Sequence, residues 1–73
     1  MKIGVEISHE GLTGREIAFL VNKHLKEFNI KTKGYSMLGN YVYYRLEGDL
    51  RTIINALDYI ASGGYEVLLI SAK

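Results

Sequence analysis

The chain has 73 residues, the length of one small domain, and nine basic against eight acidic residues give a formal net charge of +1. It contains no cysteine, which excludes disulfides, thiolate zinc sites, iron–sulfur clusters and cysteine nucleophiles. Because the charge is nearly balanced, the chain also has no strong basic field that would attract nucleic acids.

The first half of the chain predicts a strand, a helix and a second strand. KIGVEIS (2–8) alternates apolar residues with polar or small ones, which is typical of a half-buried strand. Thr13 and Glu16 have the spacing of a capping box and precede apolar residues at steps of three and four, so we predict a helix from residue 14. Asn29 suits the end of that helix, and IKTKGYSML (30–38) predicts a weaker strand.

The second half predicts the same kinds of element in the order strand, helix, strand. YVYYRLE (41–47) is rich in aromatic residues and is the most β-prone segment. Asp49 is placed to cap a second helix, which SGG (62–64) ends. YEVLLIS (65–71) predicts the last strand.

The order β-α-β-β-α-β predicts an α+β fold of the ferredoxin-like type. We expect a single domain over residues 1–73, built as a two-layer sandwich with an antiparallel sheet of order 4-1-3-2. Right-handed crossovers place both helices on one face of that sheet. LTGREIAFLV (12–21) is similar to the first helix of a helix-turn-helix, but a strand follows it where a recognition helix is needed. We therefore predict a capped core helix there and not a DNA-binding motif.

The face of the sheet that the helices leave uncovered predicts a partner surface. If Glu6, Arg45 and Glu66 point outward, alternation along the strands sends several tyrosine and aliphatic side chains outward with them. Monomers rarely expose such patches, so we predict a homodimer or a higher homo-oligomer that forms through this face. The predicted interface residues are Tyr35, Met37, Tyr41, Tyr43, Leu68 and Ile70.

The loop after the first strand is a candidate ligand site. His9 and Glu10 lie there next to a helix N-terminus, whose free N–H groups and dipole favour an anion. A loop without a ligand is the alternative interpretation. Two adjacent side chains do not form a zinc site, which requires three or four ligands, so we predict no metal and no cofactor.

From about residue 11 onward the chain resembles the small regulatory domains of the ACT type and the AsnC type. GLTGREIAFLVNKHLKEFNIKT is similar to the ACT pattern of a glycine–leucine start, a helix with periodic aliphatic residues and a short "NI" before the second strand. LGNYVYYRLEGDLRTIINALDYIASGGYEVLLIS is similar to the effector-domain pattern of a turn, a strand, a "DL" helix start and a glycine before the last strand. The resemblance implies the ferredoxin-like fold, dimers and a small-molecule effector at the first loop, near Glu10, Gly11 and Leu12. With His9, these residues form the predicted ligand site.

The sequence thus predicts a non-catalytic regulatory or assembly module. The alternative is binding of single-stranded RNA in the manner of an RRM, through Tyr41 and Tyr43 on the third strand, although the first strand has no aromatic residue. An enzyme of the acylphosphatase type is a further alternative, but the position of Arg15 does not match the required loop spacing. We expect no binding of nucleic acid.

The sequence also bears on location. MKIGVEISHE (1–10) contains charged residues where a signal peptide requires an unbroken apolar segment. The longest apolar run, VLLI (67–70), is too short to span a bilayer. We therefore expect a soluble, cytoplasmic protein that does not contact a membrane.

Overall fold

The structure, a computed structural model, describes residues 1–72, and at residues 34 and 35 it describes the backbone alone. The elements in chain order are β1 (Lys2–Ser8), α1 (Gly14–Glu27), β2 (Lys31–Leu38), β3 (Tyr41–Glu47), α2 (Leu50–Ser62) and β4 (Glu66–Ala72). They form a small α+β domain with one antiparallel sheet, whose neighbours follow the order β2-β3-β1-β4. Among the described residues, neither helix is long and apolar enough to cross a membrane.

A single apolar core lies between the sheet and the two helices. Alternate residues of β1 and β3 are buried because their side chains point to the same face of the sheet. The apolar faces of α1 and α2 cover these residues, so both helices lie on one side of the sheet. The core consists of Ile3, Val5, Ile7, Ile17, Ala18, Val21, Leu25, Ile30, Val42, Tyr44, Leu46, Ile53, Ala56 and Ile60.

The predicted capping box at the start of α1 is confirmed. The Thr13 Oγ1 atom accepts a hydrogen bond from the Glu16 N–H at 3.3 Å, and the Glu16 carboxylate accepts one from the Thr13 N–H at 2.9 Å. The hydrogen bond that the Thr13 N–H donates to the Glu16 carboxylate, and after it the Thr13 side chain, lower the pKa of the Glu16 carboxyl group because they favour its charged form. The ionised capping box therefore stabilises the fold above the ordinary carboxyl range and ceases to do so as the pH falls through the lowered pKa.

Replacing Thr13 by Ala removes the acceptor of one helix N–H, so we expect a loss of about 1 kcal/mol of stability. For a domain of this size that loss corresponds to a fall of about 4–8 °C in Tm, which a thermal melt followed by circular dichroism measures. Thr13→Ser keeps the hydroxyl group and is the matched control. Equal melting temperatures for the wild type and the Ala variant would show that this cap contributes nothing.

The other helix ends also follow the predictions made from the sequence. Asn29 adopts the left-handed conformation at a φ of 59°, immediately after the last turn of α1. The Asp49 carboxylate caps α2 by accepting a hydrogen bond from the Thr52 N–H at 3.1 Å. Gly64, at a φ of 94°, turns the chain from α2 into β4.

The start of α1 lies against the turn between β2 and β3. The Gly14 N–H donates a hydrogen bond of 2.8 Å to the Gly39 carbonyl oxygen. Gly14 is buried, and a Cβ atom at this position would lie 2.7 Å from the carbonyl oxygen of Tyr41. Only glycine therefore allows the helix to approach the turn this closely.

The sheet is less regular than the sequence predicts. The register between β2 and β3 shifts between Thr32 and Gly34, so β2 pairs as two parts, 31–32 and 34–38, on either side of Lys33. Counted separately, these parts give the sheet five antiparallel strands. A second shift, opposite Gly4 and Val5, leaves Ile70 as an extra residue in β4. The prediction of a regular four-stranded ferredoxin-like sandwich is therefore wrong. The difference lies in the two edge strands, β2 and β4, and in the face of the sheet to which their side chains point.

Candidate binding face

Within residues 1–72 the helices lie on one side of the sheet, and we call the opposite side the outer face. In the register of the sheet, Tyr43 of β3 lies between Glu6 of β1 and the edge strand β2, and Leu68 of β4 lies on the other side of Glu6. Leu38 pairs with Tyr41 at one end of the face. The two tyrosines are half-buried, while the two leucines are exposed. The outer face therefore combines apolar side chains with no helix to cover them.

The structure does not bring the predicted interface residues together on one face. Tyr41, Tyr43 and Leu68 lie on the outer face, as the sequence predicts, and Ile70 is the half-exposed extra residue of β4. Met37 pairs with Val42, whose side chain is in the core, so Met37 lies on the helix side of the sheet and not on the outer face. The cause is the shift at Lys33, because one extra residue reverses the alternation of everything after it. The side chain of Tyr35 lies outside the described part of the chain.

The charges of the outer face separate into two ends. The basic end, where β1 begins, consists of Lys2, Lys31, Lys33 and Arg45 with one carboxylate, that of Glu47. The acidic end, where β4 begins, consists of Glu6 and Glu66. The outer face is therefore positive at one end, while its two carboxylates and its apolar side chains share the other part of the face.

A groove of about 740 Å³ opens at the basic end of the outer face. Gly4 lines it, and Tyr43 and Ser71 approach Gly4 from the two neighbouring strands. A Cβ atom at Gly4 would clash with the Tyr43 hydroxyl group and would lie 2.8 Å from the Ser71 Oγ atom. Lys2, Lys33 and Arg45 also line the groove. The groove therefore brings cationic and hydroxyl groups together above a glycine.

In the loop after β1, the predicted ligand residue His9 is already in contact with other residues of the chain. The His9 Nδ1 atom accepts a hydrogen bond from the Gly11 N–H at 3.1 Å, and the His9 ring packs edge-on against Tyr65 at 5.1 Å. Leu12 packs partly against the core, and Glu10 is exposed. The capping box at the adjacent helix start already uses helix N–H groups that an anion would need. The ligand site at His9, Glu10, Gly11 and Leu12 stays a prediction.

Three residues of the groove have no role predicted from the sequence: Lys2, Gly4 and Ser71. The available signal was Gly4 itself, because glycine in the middle of a strand often marks a close approach of another group. The alternation of apolar residues in β1 places Gly4 on the outer face, where a glycine without a side chain gives no other sign of a binding site.

A scan against models of known protein families gives no match, and neither does a search of curated proteins. The resemblance to ACT-type and AsnC-type domains therefore remains a prediction.

Proposed function

We propose that this protein is an assembly module in which two copies associate through the outer face. The observation that carries the proposal is the exposure of Leu68, at 56%, on a face that also holds Leu38 and two half-buried tyrosines. Exposed apolar patches on small proteins commonly mark interaction sites, because covering them removes apolar surface from water.

The charge pattern of the outer face favours a second copy as the partner. A twofold axis that lies between the two faces and runs across the strands would place the basic end of each copy over the acidic end of the other. Arg45 of one copy would then approach Glu6 of its partner, and the reverse pair would form by symmetry. A face of a single sign would repel its own copy, whereas this one is complementary to itself.

The size of the face sets the expected affinity. Four strands spaced at about 4.8 Å, each of seven or eight residues at about 3.3 Å per residue, give a face of about 20 by 25 Å. That area is smaller than the roughly 800 Å² per partner of a standard stable interface. We therefore expect a reversible dimer of micromolar affinity and not an obligate one.

The test is sedimentation of the wild type and of two matched variants over a range of concentrations. Leu68→Glu places a charge on the outer face and is expected to leave the protein monomeric, because association would bury that carboxylate. Leu69→Glu is the control, since Leu69 is equally exposed, at 59%, but pairs with the core residue Val5 and so lies on the other face. The Leu69 variant should associate like the wild type.

A monomeric wild type at high micromolar concentration would contradict the proposal. So would an equal loss of association in both variants, since this would show that the β4 edge, and not the outer face, forms the contact. Circular dichroism checks that each variant is folded.

A second candidate function is the binding of single-stranded RNA, favoured by the position of Tyr41 and Tyr43 on the same open face as Arg45. We place it second because Glu6 lies directly beside Tyr43 in register, where its carboxylate would repel a phosphate backbone. The titration described in the next subsection includes an oligonucleotide and separates the two candidates.

A further inference from the structure

We propose that the groove at Gly4 is a binding site for a small molecule that carries a phosphate or pyrophosphate group. This site is formed within one chain, so the proposal goes beyond self-association and does not depend on it. It also differs in place from the loop site that the sequence predicts.

The hydroxyl groups of Tyr43 and Ser71 lie close together over Gly4, and neither forms a hydrogen bond within the described residues. A single point above the glycine, where a Cβ atom would stand, is in contact with both the Tyr43 hydroxyl and the Ser71 Oγ atom. Among the described residues, neither hydroxyl group has a hydrogen-bond partner. Two donors that converge on one place without satisfying each other are suited to an acceptor from outside the chain.

Cationic side chains surround these hydroxyl groups. Lys2, Lys33 and Arg45 line the same groove, and Lys33 lies 3.8 Å from the carboxylate of Glu47. Within the described residues, Lys2 and Arg45 have no carboxylate partner. One cation of the groove is paired with a carboxylate and two are not, so the groove is positive. A bound anion would neutralise the charge that remains.

The number and type of donors favour a phosphate over a carboxylate. A guanidinium, two ammonium groups and two hydroxyl groups offer more hydrogen bonds than the two oxygens of a carboxylate accept in one place. A phosphate monoester or a pyrophosphate has three or more charged oxygens, which matches this set. The volume of about 740 Å³ also lies in the range of sites for small molecules.

The test is a titration of ¹⁵N-labelled protein with inorganic pyrophosphate, followed by amide chemical shifts at constant ionic strength. The Leu68→Glu variant is used as well as the wild type, since Leu68 does not line the groove and its variant keeps the protein monomeric if the outer face associates. We expect saturable shifts centred on Gly4, Arg45 and Ser71 in the Leu68 variant, and weaker binding by the wild type at concentrations where it associates, because the dimer places the partner's Glu6 against Arg45. Binding by the Leu68 variant supports the groove whatever the oligomeric state of the wild type, so that failure of one proposal does not imply failure of the other.

Two arginine variants separate a site from a general attraction to positive charge. Arg45→Gln should weaken pyrophosphate binding at least tenfold, while Arg51→Gln, an exposed arginine on α2, should leave it unchanged. Equal effects of the two variants, or shifts that do not saturate, would overturn the proposal. An unstructured oligonucleotide that binds far more tightly than pyrophosphate, and loses that binding when Tyr41 and Tyr43 become Ala, would overturn it in favour of RNA binding.

Discussion

Replacing Ile53 by Ala is expected to lower the stability of the fold by about 2–5 kcal/mol. Ile53 lies on α2 with no exposed surface and packs in the core between the helices and the sheet. The shorter side chain removes apolar contacts and leaves a cavity that the neighbouring strands fill only partly. A domain of this length has a total stability of about 4–11 kcal/mol, so the variant should lose a large part of it. Urea denaturation measures the difference.

Ile54 provides the matched control for this prediction. It is the next residue on the same helix, but its side chain is 46% exposed, and Ala forms helices more readily than Ile does. We expect Ile54→Ala to change the free energy of unfolding by no more than about 0.5 kcal/mol. If Ile53→Ala fails to fold, Ile53→Val tests the same contacts at a cost of about 0.5–1.5 kcal/mol. Similar midpoints for the variants at positions 53 and 54 would show that α2 is not packed as described.

The second large effect is expected for Gly14→Ala at the start of α1. The added Cβ atom would lie 2.7 Å from the Tyr41 carbonyl oxygen and 3.3 Å from that of Gly39. Both are backbone atoms, so the contact is relieved only by moving the helix away from the β2–β3 turn, which also weakens the bond from the Gly14 N–H. Such overpacking costs about 1–3 kcal/mol. The better helix propensity of Ala, worth up to about 1 kcal/mol, offsets a part of it.

Gly11→Ala is the control for the substitution at position 14. The nearest atoms to a Cβ at Gly11 belong to the His9 ring at 3.8 Å, which is an ordinary van der Waals distance. We therefore expect the Gly11 variant to keep the stability of the wild type within about 0.5 kcal/mol, measured by the same urea denaturation. A Gly14 variant as stable as the Gly11 variant would mean that the helix and the turn are not in contact.

The helix boundaries were predictable because local chemistry determines them. Thr13 and Glu16 satisfy each other's backbone N–H groups across a single turn, and Asp49 caps α2 through residues close in sequence. Asn29 accepts a left-handed conformation without help from distant residues. In each case the residues that decide the structure lie within a few positions of it, so a pattern in the sequence is sufficient.

The edge strands were not predictable in the same way. The segment from Lys31 to Met37 alternates as one regular strand would. Gly34 is the available sign of a bulge, but it does not show that Lys33 is the residue without a partner. That choice depends on the pairing with β3, a different part of the chain. Its effect is large, because it moves Met37 to the helix side of the sheet. The groove was missed for a similar reason, since Tyr43 and Ser71 reach Gly4 from other strands.

The position of β1 in the middle of the sheet has a consequence for the speed of folding. β2 and β3 are joined by a turn at Gly39 and Asn40 and can pair as soon as they form. β1 pairs with β3 and β4, and each of these strands is separated from β1 in the sequence by a long segment that includes a helix. Closing such long loops is slow, so we expect the pairing of β1 with β3 and β4 to limit the rate of refolding. Until then β3 has an unpaired edge, and the partly folded chain is open to pairing with other molecules.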